Sequence, residues 1–344
     1  MPSLTNSLRD YHTFALPVWA QQVICIDSMD ALWTAYQQVQ RVKQPFLWLG
    51  EGSNTLFCKN FQGSVFLMRL KGLQITEQAD AWHLRVAAGE NWHQLVCNTV
   101  CQGIPGLENL ALIPGSVGAA ALQNIGAYGV EFQQFCRYVE LLDLQRQQLV
   151  RLPTSACQFV YRDSALKRLD QSRWVITAVE LVLPKAWLPC LTYGELKSLE
   201  TNISPQALLE QVCAIRQKKL PDPRLLGNAG SFFKNPVMSR EPLNQLLLRY
   251  PELTYYPVDQ HRVKVAAAGL IERCGLKAFR IGDAAVHQQQ ALVIVNLGQA
   301  TPEHVITLAK VIRQQVIQQF TVSLEPEVCF IGSAGPINAL EVLA

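Results

Sequence analysis

The sequence IPGSVGAAALQNIGAYG, residues 113–129, is rich in glycine and contains no charged side chain. The uncharged run extends over residues 110–130, which is long enough to suggest a membrane-spanning helix. Its proline, its glycines and the polar pair Gln123 and Asn124 are unsuited to a helix that faces lipid. We therefore expect a glycine-rich loop whose backbone N–H groups can approach a phosphate closely.

A second glycine-rich segment, LGEGSNTLF at residues 49–57, follows the apolar stretch PFLWLG. Gly50 and Gly52 allow the chain to turn, and Ser53, Asn54 and Thr55 add uncharged hydrogen-bonding groups. Together the two segments are predicted to wrap a diphosphate. On spacing alone, a glycine turn with a purely structural role fits each segment equally well.

Several common nucleotide and hydrolase motifs do not fit. Gly50 and Gly52 begin a G-x-G-x-x-G pattern, but Thr55 stands at the position of the third glycine and a strand rather than a helix follows. The chain contains no G-x-x-x-x-G-K-[ST], H-E-x-x-H or G-x-S-x-G motif. These absences argue against a Rossmann unit, a P-loop ATPase, a zinc protease and an α/β-hydrolase.

The segment GNAGSFFKNP, residues 227–236, offers a candidate proton carrier. Ser231 follows a predicted flexible turn at Gly230, and Phe232 and Phe233 are expected to shield its hydroxyl from water. Lys234 or Asn235 would polarise that hydroxyl. The simpler alternative is a serine at a turn before a strand.

Composition limits the class of protein. The chain has 344 residues, 49% hydrophobic and 17% charged, which predicts two or three folded domains. The net charge of +3 comes without a dense Lys/Arg block, so nucleic acid is not an expected partner. Ten scattered cysteines form no metal-binding motif, which indicates reduced thiols. Residues 1–10 do not resemble a secretory signal, and we expect a cytoplasmic protein without membrane insertion.

The patterning predicts an α+β fold. Helices are expected to begin at Ser28, at Ser204–Pro205 and at Thr301–Pro302, where capping residues precede apolar stripes. Predicted strands are PFLWLG, VFLMRL at 65–70, LRVAA at 84–88, a hairpin in VELLDLQRQQLVRL, WVITAVELVL at 174–183 and ALVIVN at 291–296. Pro221 and Pro223 mark a hinge into the second half.

Seven motifs in order resemble the UDP-N-acetylenolpyruvoylglucosamine reductase family. They are LGEGSNTLF, IPGSVGAAALQNIGAYG, YRDS at 161–164, KLPDP at 219–223, GNAGSFFKNP, GDAAVHQQQALVIVN and LEPEV at 324–328. They extend across nearly the whole chain, which makes the set far more specific than any single motif. The segment LTYGEL around Tyr193 is similar to the tyrosine-bearing loop of the longer subgroup.

The resemblance implies a two-lobed FAD-binding module of the PCMH/VAO type, followed by an α/β substrate-binding domain. Residues 1–70 would form the first FAD lobe, with residues 326–344 packing back onto it. Residues 71–219 would form the second lobe, and residues 220–325 the substrate-binding domain.

The resemblance also implies the reaction and its partners. NADPH would reduce non-covalently bound FAD, and hydride would pass to the β-carbon of the enolpyruvyl group of UDP-N-acetylglucosamine enolpyruvate. The product would be UDP-N-acetylmuramate, a peptidoglycan precursor, made by a monomeric enzyme. Alternatives are another flavoprotein oxidase of the same fold and a non-catalytic protein that binds sugar nucleotides.

Individual residues take roles from the same resemblance. Ser231 would donate the proton to the α-carbon, while Arg162 and Glu327 organise the carboxylate, although Arg162 could instead pair with Asp163. Sugar-nucleotide binding would involve Tyr193, Lys219, Asn235, Tyr256, Lys277 and Gln290. FAD would contact Gly50, Glu51, Gly52, Ser53, Asn54, Gly115, Ser116, Gly118, Asn124, Ile125, Gly126 and Ala127, with no metal.

The chain departs from the family pattern at three places: Cys329 stands where arginine is usual, Asp283 where glycine is usual, and Ala121-Leu122 where Pro-Ile is common. Cysteine in place of arginine at position 329 is expected to weaken an anion contact near the site. We expect His287 to be a structural histidine. The segment Glu51-Gly52-Ser53-Asn54 offers no histidine for a covalent flavin link.

Overall fold

A computed structural model describes residues 6–344 and divides the chain into two compact units. The first unit comprises Met1–Gln21, Ser53–Gln62 and Lys219–Ala344. The second unit comprises Gln22–Gly52 and Gly63–Lys218. The division into two FAD lobes and a substrate-binding domain remains a prediction.

The described chain contains both helices and strands. The helices are α1 (Met29–Val42), α2 (Trp92–Cys101), α3 (Val117–Gln123), α4 (Thr154–Cys157), α5 (Pro205–Lys219), α6 (Arg240–Arg249), α7 (Ala267–Arg273), α8 (Pro302–Phe320) and α9 (Ala339–Val342). The strands up to the start of α5 are β1 (Asn6–Ser7), β2 (Trp19–Ile26), β3 (Phe46–Leu49), β4 (Thr55–Phe57), β5 (Phe61–Met68), β6 (Leu73–Glu77), β7 (Ala81–Ala87), β8 (Gly126–Ala127), β9 (Val130–Glu131), β10 (Cys136–Asp143), β11 (Gln148–Pro153) and β12 (Trp174–Pro184). Those after it are β13 (Gly227–Ser231), β14 (Val237–Ser239), β15 (Tyr255–Pro257), β16 (Arg262–Val265), β17 (Arg280–Ile281), β18 (Ala284–Val286), β19 (Val293–Asn296) and β20 (Cys329–Ile331).

The second unit is built around an antiparallel sheet with strand order β11-β10-β12-β7-β6. Its β3 and β5 also pair in parallel, with Phe46 opposite Ser64. Helix α3 packs against β7 and β12, and a buried core that includes Trp92, Phe132 and Val179 joins the helices to the sheet. This packing holds the second glycine-rich segment against a rigid surface.

The first unit contains the sheets β13-β19-β18-β17 and β14-β16-β15 and the parallel pair β20-β4. Helix α8 packs against β17 and β18. The unit core includes Phe232, Phe233 and Phe330, and the ring centroids of Phe232 and Phe330 lie 6.0 Å apart. Pairing of Cys329 with Thr55 brings the C-terminal segment to the end of the first glycine-rich segment.

The predicted helix starts are confirmed, and their caps explain them. The Ser28 side chain accepts a hydrogen bond from the N–H of Ala31 at the start of α1. Thr301 caps α8 in the same way, with Pro302 in the first turn, and the Ser204 hydroxyl accepts from the N–H of Ala207. Each side chain satisfies a backbone donor that the helix itself leaves unpaired.

Two local predictions are wrong. The predicted flexible turn before Ser231 is strand β13, in which an irregular register between Asn228 and Ser231 accommodates Gly230 at φ +68°. The predicted glycine-rich loop contains helix α3, because its alanine-rich centre favours a helix and Gly118 fits closely against Ala88. Among the shorter differences, β5 ends at Met68 rather than at residue 70.

The other predicted strands are observed with small shifts at their ends, including the β10–β11 hairpin and β12. Over residues 6–344, none of the helices has the length and apolar character that crossing a lipid bilayer would require.

A buried histidine in the first unit predicts that stability depends on pH. His12 is 3% exposed, its Nε2 lies 3.3 Å from the carbonyl oxygen of Leu16, and its Nδ1 has no hydrogen-bond partner in the described structure. Burial lowers the pKa of His12 from 6.5 to about 4. Since the unfolded chain binds the proton more tightly, the free energy of unfolding should fall by about 3 kcal/mol as the pH decreases from about 6.5 to about 4.

The measurement is urea denaturation between pH 4 and pH 7 for the wild type, His12→Gln and His261→Gln. His261 is exposed in the same unit and serves as the matched control. Between these pH values the His12→Gln protein should lose less stability than the wild type, whereas His261→Gln should follow the wild type. Equal pH slopes for all three proteins would exclude the buried neutral histidine as the cause.

Candidate active site

The two glycine-rich segments are joined by the Glu51 carboxylate in the second unit. Its Oε1 accepts a hydrogen bond from Asn91 Nδ2 at 2.7 Å, and its Oε2 accepts from the backbone N–H of Gly115 at 3.1 Å. The Asn91 side-chain oxygen at the same time caps α2 by accepting from the N–H of Gln94. The predicted cofactor residues Glu51 and Gly115 are therefore fixed relative to each other.

Close backbone approach explains two of the predicted glycines. A Cβ on Gly50 would lie 2.6 Å from the Ser116 hydroxyl, and a Cβ on Gly118 would lie 2.8 Å from the Cβ of Ala88. Arg69 Nη1 donates to the carbonyl oxygen of Gly50 at 2.9 Å and holds this first turn in place. Side chains larger than glycine would push the two segments apart.

A cavity of about 120 Å³ opens beside these contacts, entirely within the second unit. Gly50, Ser116 and Gly118 line one part of it, and Trp48 and Trp174 line another. The lining is mainly apolar and borders the close contact between the two glycine-rich segments.

The end of the second glycine-rich segment is held by Asn124, which is fully buried with φ +45°. Its Nδ2 donates to Glu131 Oε2 at 3.1 Å and to the carbonyl oxygen of Val160 at 3.0 Å. Its Oδ1 accepts from the N–H of Gln133 at 3.0 Å. The predicted cofactor residues Ile125, Gly126 and Ala127 follow directly, with the last two in β8.

Arg162 lies in the turn between the bridged residues Val160 and Asp163 and has φ +55°. Its Nη2 donates to the carbonyl oxygen of Gly126 at 2.6 Å, so the YRDS motif contacts the second glycine-rich segment. Asp163 forms its ion pair with Arg168, at 2.7 Å. A non-glycine residue in the left-handed region at such a contact is typical of a functional site.

Tyr193 in the second unit lies beside the same segment. Its ring is 6.2 Å from that of Tyr128 in an edge-on arrangement. Asn109 Nδ2 donates to the carbonyl oxygens of Tyr128 and Cys190, at 3.0 Å and 2.8 Å, which ties the tyrosine-bearing loop to the glycine-rich segment.

In the first unit, Ser231 ends β13 and is half-buried. The next residue, Phe232, is 0% exposed in the core. Phe233 is buried in the same core, so the two phenylalanines fix the backbone that follows Ser231 at the strand end.

Glu327 is held next to Ser231 by backbone pairing. The Glu327 N–H donates to the carbonyl oxygen of Phe232 at 2.8 Å, and the Lys234 N–H donates to that of Glu325 at 2.9 Å. Asn54 Nδ2 donates to the carbonyl oxygen of Glu327 at 3.0 Å. The structure thus brings Ser231, Glu327 and Asn54 together within the first unit.

Two further predicted cofactor residues, Gly52 and Ser53, have local structural roles. Gly52 has φ +61°, and the Ser53 carbonyl accepts a hydrogen bond from the Thr13 hydroxyl at 3.3 Å.

The predicted substrate residues of the first unit lie at ordinary structural positions. The Asn235 side-chain oxygen accepts from the N–H of Ala267 at 2.9 Å, and Lys277 pairs with Glu272. Gln290 Oε1 lies 3.4 Å from the N–H of Leu292. Tyr256 is in β15, and Lys219 is the last residue of α5. Because only its oxygen is used in this contact, the Asn235 side chain can still donate a hydrogen bond through its NH₂ group.

The departures from the family pattern are accommodated locally. Asp283 accepts from Arg280 Nη2 at 2.9 Å and from the N–H of Gln299 at 3.0 Å, so it stabilises its own turn. Ala121 is fully buried, and the Leu122 carbonyl accepts from the Ser164 hydroxyl at 2.7 Å. The Cys329 N–H donates to the Asn54 carbonyl at 3.0 Å. His287 has the expected structural contact, since its Nδ1 accepts from the N–H of Gln290 at 3.2 Å.

Sequence reasoning missed several residues that support these segments: Arg69, Asn91, Glu108, Asn109 and Arg216. Glu108 and Asn109 are 1% and 2% exposed, and burial raises the pKa of Glu108. The signal for this pair was a Glu-Asn step inside the otherwise apolar run GLENLAL, since polar residues in such a run are usually held by hydrogen bonds. No cluster of three or more His, Cys, Asp or Glu side chains suited to a metal exists within residues 6–344.

Family models match both parts of the chain. An FAD-binding domain model matches residues 20–152, and the model of the C-terminal domain of UDP-N-acetylenolpyruvoylglucosamine reductase matches residues 222–331.

Curated relatives match over full length. The chain is 49% identical over 345 residues to UDP-N-acetylenolpyruvoylglucosamine reductase from Yersinia pestis, covering 100% of both chains. It is 49% identical over 342 residues to the reductase of the same name from Escherichia coli strain K12, covering 99% of this chain and 100% of that one. A crystal structure of the enzyme from Thermus caldophilus is similar in fold, with a TM-score of 0.63, 24% identity, and coverage of 94% of this chain and 97% of that one.

Proposed function

This chain belongs to the UDP-N-acetylenolpyruvoylglucosamine reductase family, and from that premise we propose how its residues divide the reaction among them. The enzyme reduces UDP-N-acetylglucosamine enolpyruvate to UDP-N-acetylmuramate with FAD and NADPH, in peptidoglycan precursor synthesis. The chemistry requires a held cofactor, a proton for the α-carbon, and stabilisation of the negative charge on the carboxylate side of the substrate.

The residues fit FAD. In this proposal the segments that meet at Gly50, Ser116 and Gly118 hold the diphosphate, and the adjacent cavity with Trp48 and Trp174 receives a flat ring. Bound FAD would supply hydride transfer from NADPH to the β-carbon of the enolpyruvyl group. The chain's part is to hold the cofactor through the two joined segments, without a covalent link.

Ser231 supplies the proton to the substrate α-carbon in this proposal. A hydroxyl is a weak acid, but an enolate is a strong base, so transfer needs only a well-positioned hydroxyl away from bulk water. The Ser231 hydroxyl has no hydrogen bond to another residue over 6–344, which leaves it available to a substrate. The buried Phe232 and Phe233 fix its backbone.

Arg162 and Glu327 organise the substrate carboxylate. The Arg162 guanidinium presents planar N–H donors that match a carboxylate, and its bond to the Gly126 carbonyl fixes one edge. Tyr193, Lys219, Asn235, Tyr256, Lys277 and Gln290 are proposed to bind the UDP-sugar. We also propose that the enzyme is a monomer, and that it acts in the cytoplasm because the reaction uses a nucleotide sugar and NADPH.

The observation that best supports this division is the pairing of residues 232–234 with 325–327, which sets Ser231 and Glu327 side by side. The direct test is oxidation of NADPH by the purified flavoprotein with and without UDP-N-acetylglucosamine enolpyruvate. Oxidation that requires the enolpyruvyl sugar is expected. Consumption of NADPH with oxygen alone would favour an oxidase, and no bound flavin would favour a binding protein.

Substitution of Glu51 by glutamine should weaken FAD binding by about 10- to 100-fold, the range for a lost charge-assisted hydrogen bond. A glutamine amide would direct its NH₂ group at either Asn91 Nδ2 or the Gly115 N–H, both of which are donors. Asn91 cannot reverse its amide without losing the cap of α2. The two glycine-rich segments would therefore separate or shift.

Each apoprotein is titrated with FAD, and binding is measured by the quenching of flavin fluorescence. Glu77→Gln is the matched control, since Glu77 is exposed in the same unit and pairs with Lys185. An unchanged dissociation constant for FAD in Glu51→Gln would show that the Glu51 contacts do not determine how the two glycine-rich segments bind FAD.

A further inference from the structure

A β-bulge lies in β13 immediately before Ser231. The register of β13 against β19 pairs Asn228 with Val295 and Ser231 with Val293, so two residues of β13 stand opposite one residue of β19. Gly230 in this bulge has φ +68°, a conformation that residues with a side chain rarely adopt. Because side chains alternate between the two faces of a sheet, one extra residue reverses the face of those that follow. The bulge therefore places Ser231 on the same face as Asn228.

The two faces of this sheet have different surroundings. On one face, Ala229 and Ile294 are buried in the main core of the first unit. On the other face, Val293 and Val295 belong to a small separate cluster. Ser231 pairs with Val293 and is half-buried on this second face. Without the bulge, its hydroxyl would point into the main core, where it could not reach a substrate.

The Asn228 side chain holds the bulge. It is 3% exposed, and its Oδ1 accepts a hydrogen bond from the N–H of Gly230 at 2.8 Å. Its Nδ2 donates to the carbonyl oxygens of Leu226 at 2.8 Å and Pro221 at 3.2 Å. A reversed amide would direct its NH₂ group at the Gly230 N–H and its oxygen at two carbonyls. The orientation of the amide is therefore fixed by its three contacts.

The same side chain connects Ser231 with a second predicted substrate residue. Lys219 is the last residue of α5, and Pro221 follows it by two positions. The Asn228 amide thus joins the chain just after Lys219 to the chain just before Ser231, both within the first unit. The position of the proposed proton donor relative to a lysine suited to phosphate groups depends on one buried amide.

We propose that Asn228 is a positioning residue for proton transfer, because its side-chain amide holds the β-bulge and thereby directs the Ser231 hydroxyl at the substrate. The inference rests on the proposed function, in which Ser231 donates the proton to the α-carbon. Asn228 touches neither substrate nor cofactor and carries no proton itself. A misplacement of about 1 Å can lower a rate by about 10²-fold, so a bulge that relaxes without the amide should slow the transfer strongly.

The experiment compares Asn228→Ala, Asn228→Ser and Asn296→Ala, all as purified holoenzymes. A serine hydroxyl can accept from the N–H two residues further on, more weakly than an amide oxygen, but is too short to reach the Pro221 carbonyl. Asn296→Ala is the matched control. Asn296 is 5% exposed in β19, lies opposite Gly227, and its side chain makes hydrogen bonds to backbone groups away from the bulge.

The two half-reactions should respond differently. Bleaching of the flavin by NADPH should match the wild type in all three variants, because it needs no proton at the α-carbon. Re-oxidation by the enolpyruvyl sugar should be about 10- to 100-fold slower in Asn228→Ala, and Asn228→Ser should recover part of the rate. Asn296→Ala should lower the urea midpoint, since it also removes a buried amide, but should keep both wild-type rates.

Coupling to Ser231 separates positioning from a merely structural role. If Asn228 acts through the Ser231 hydroxyl, adding Asn228→Ala to Ser231→Ala should not slow re-oxidation further. An equal factor of loss in both backgrounds would overturn the proposal, as would wild-type re-oxidation in Asn228→Ala alone.

A second variant keeps the test decisive if Asn228→Ala does not fold. The cycle is then measured with Asn228→Ser, whose smaller loss must also disappear in the Ser231→Ala background, and a wild-type rate in Asn228→Ser would overturn the proposal. Re-oxidation in Ser231→Ala as fast as in the wild type would instead refute the proposed role of Ser231, whatever the Asn228 variants show.

Discussion

Ser231→Ala is expected to reduce turnover of UDP-N-acetylglucosamine enolpyruvate by about 10²- to 10⁴-fold, the range for loss of a general acid. Reduction of the flavin by NADPH should proceed as in the wild type, because that half of the reaction needs no proton at the α-carbon. Alanine removes the hydroxyl at the end of β13 and changes little else. Phe232 and Phe233 remain buried in the first unit and keep the backbone in place.

The two halves of the reaction can be measured separately. Bleaching of flavin absorbance by NADPH in the absence of the sugar follows the first half, and re-oxidation after addition of the enolpyruvyl sugar follows the second. Ser231→Cys should recover part of the second rate, since a thiol is more acidic than an alcohol. Ser239→Ala is the matched control, because Ser239 is exposed in the same unit and its side chain makes no cap hydrogen bond to α6.

A rate of flavin re-oxidation in Ser231→Ala equal to that of the wild type would exclude Ser231 as the proton donor. A slow first half together with a slow second half would instead indicate a general disturbance of the site. The urea midpoint distinguishes these cases, since loss of a half-buried hydroxyl without a hydrogen-bond partner should change stability little.

Local physics made part of this fold predictable from the sequence. The starts of α1, α5 and α8 follow from capping residues and apolar stripes, both of which are local and do not depend on the rest of the chain. The family could be identified because seven motifs occur in the family's order across nearly the whole chain. Family membership then carried roles to Ser231, Arg162 and Glu327 that no single residue pattern would justify.

Other features depend on tertiary contacts and were not predictable in the same way. Gly227–Ser231 contains two glycines and was expected to turn, but pairing with β19 makes it a strand. The strand is compatible with glycine because a backbone approaches it closely: a Cβ on Gly227 would lie 2.6 Å from the Phe14 carbonyl oxygen. Local propensity carries no information about such a neighbour.

The supporting residues of the site show the same limit. Asn91 precedes α2 and Arg216 lies in α5, in sequences that look ordinary, and only the fold shows that Asn91 holds Glu51 and that Arg216 is partly buried near Arg162. Long-range hydrogen bonds connect residues whose separation in sequence has no characteristic value. The motifs therefore identified Glu51 and Gly115, which lie within them, but not Asn91, which lies outside any motif and binds Glu51.

Arg162→Met is expected to lower kcat/KM for the enolpyruvyl sugar by about 10²- to 10³-fold, the cost of removing one strong donor to developing negative charge. The affinity for UDP-N-acetylglucosamine, which has no carboxylate, should change little. Arg162→Lys should recover only part of the loss, since an ammonium group cannot contact both oxygens of a carboxylate and the Gly126 carbonyl at once.

Arg168→Met in the same region is the matched control, because Arg168 is exposed and pairs with Asp163. Methionine at position 162 would adopt the same φ of +55° as arginine, so the wild type and Arg162→Met carry the same backbone strain there. The comparison of these two proteins therefore isolates the effect of the guanidinium. A loss of kcat/KM in Arg168→Met as large as that in Arg162→Met would mean that the turn, rather than the guanidinium, matters. Equal weakening of UDP-N-acetylglucosamine and UDP-N-acetylmuramate in Arg162→Met would contradict a contact with the carboxylate, because only the second ligand has one.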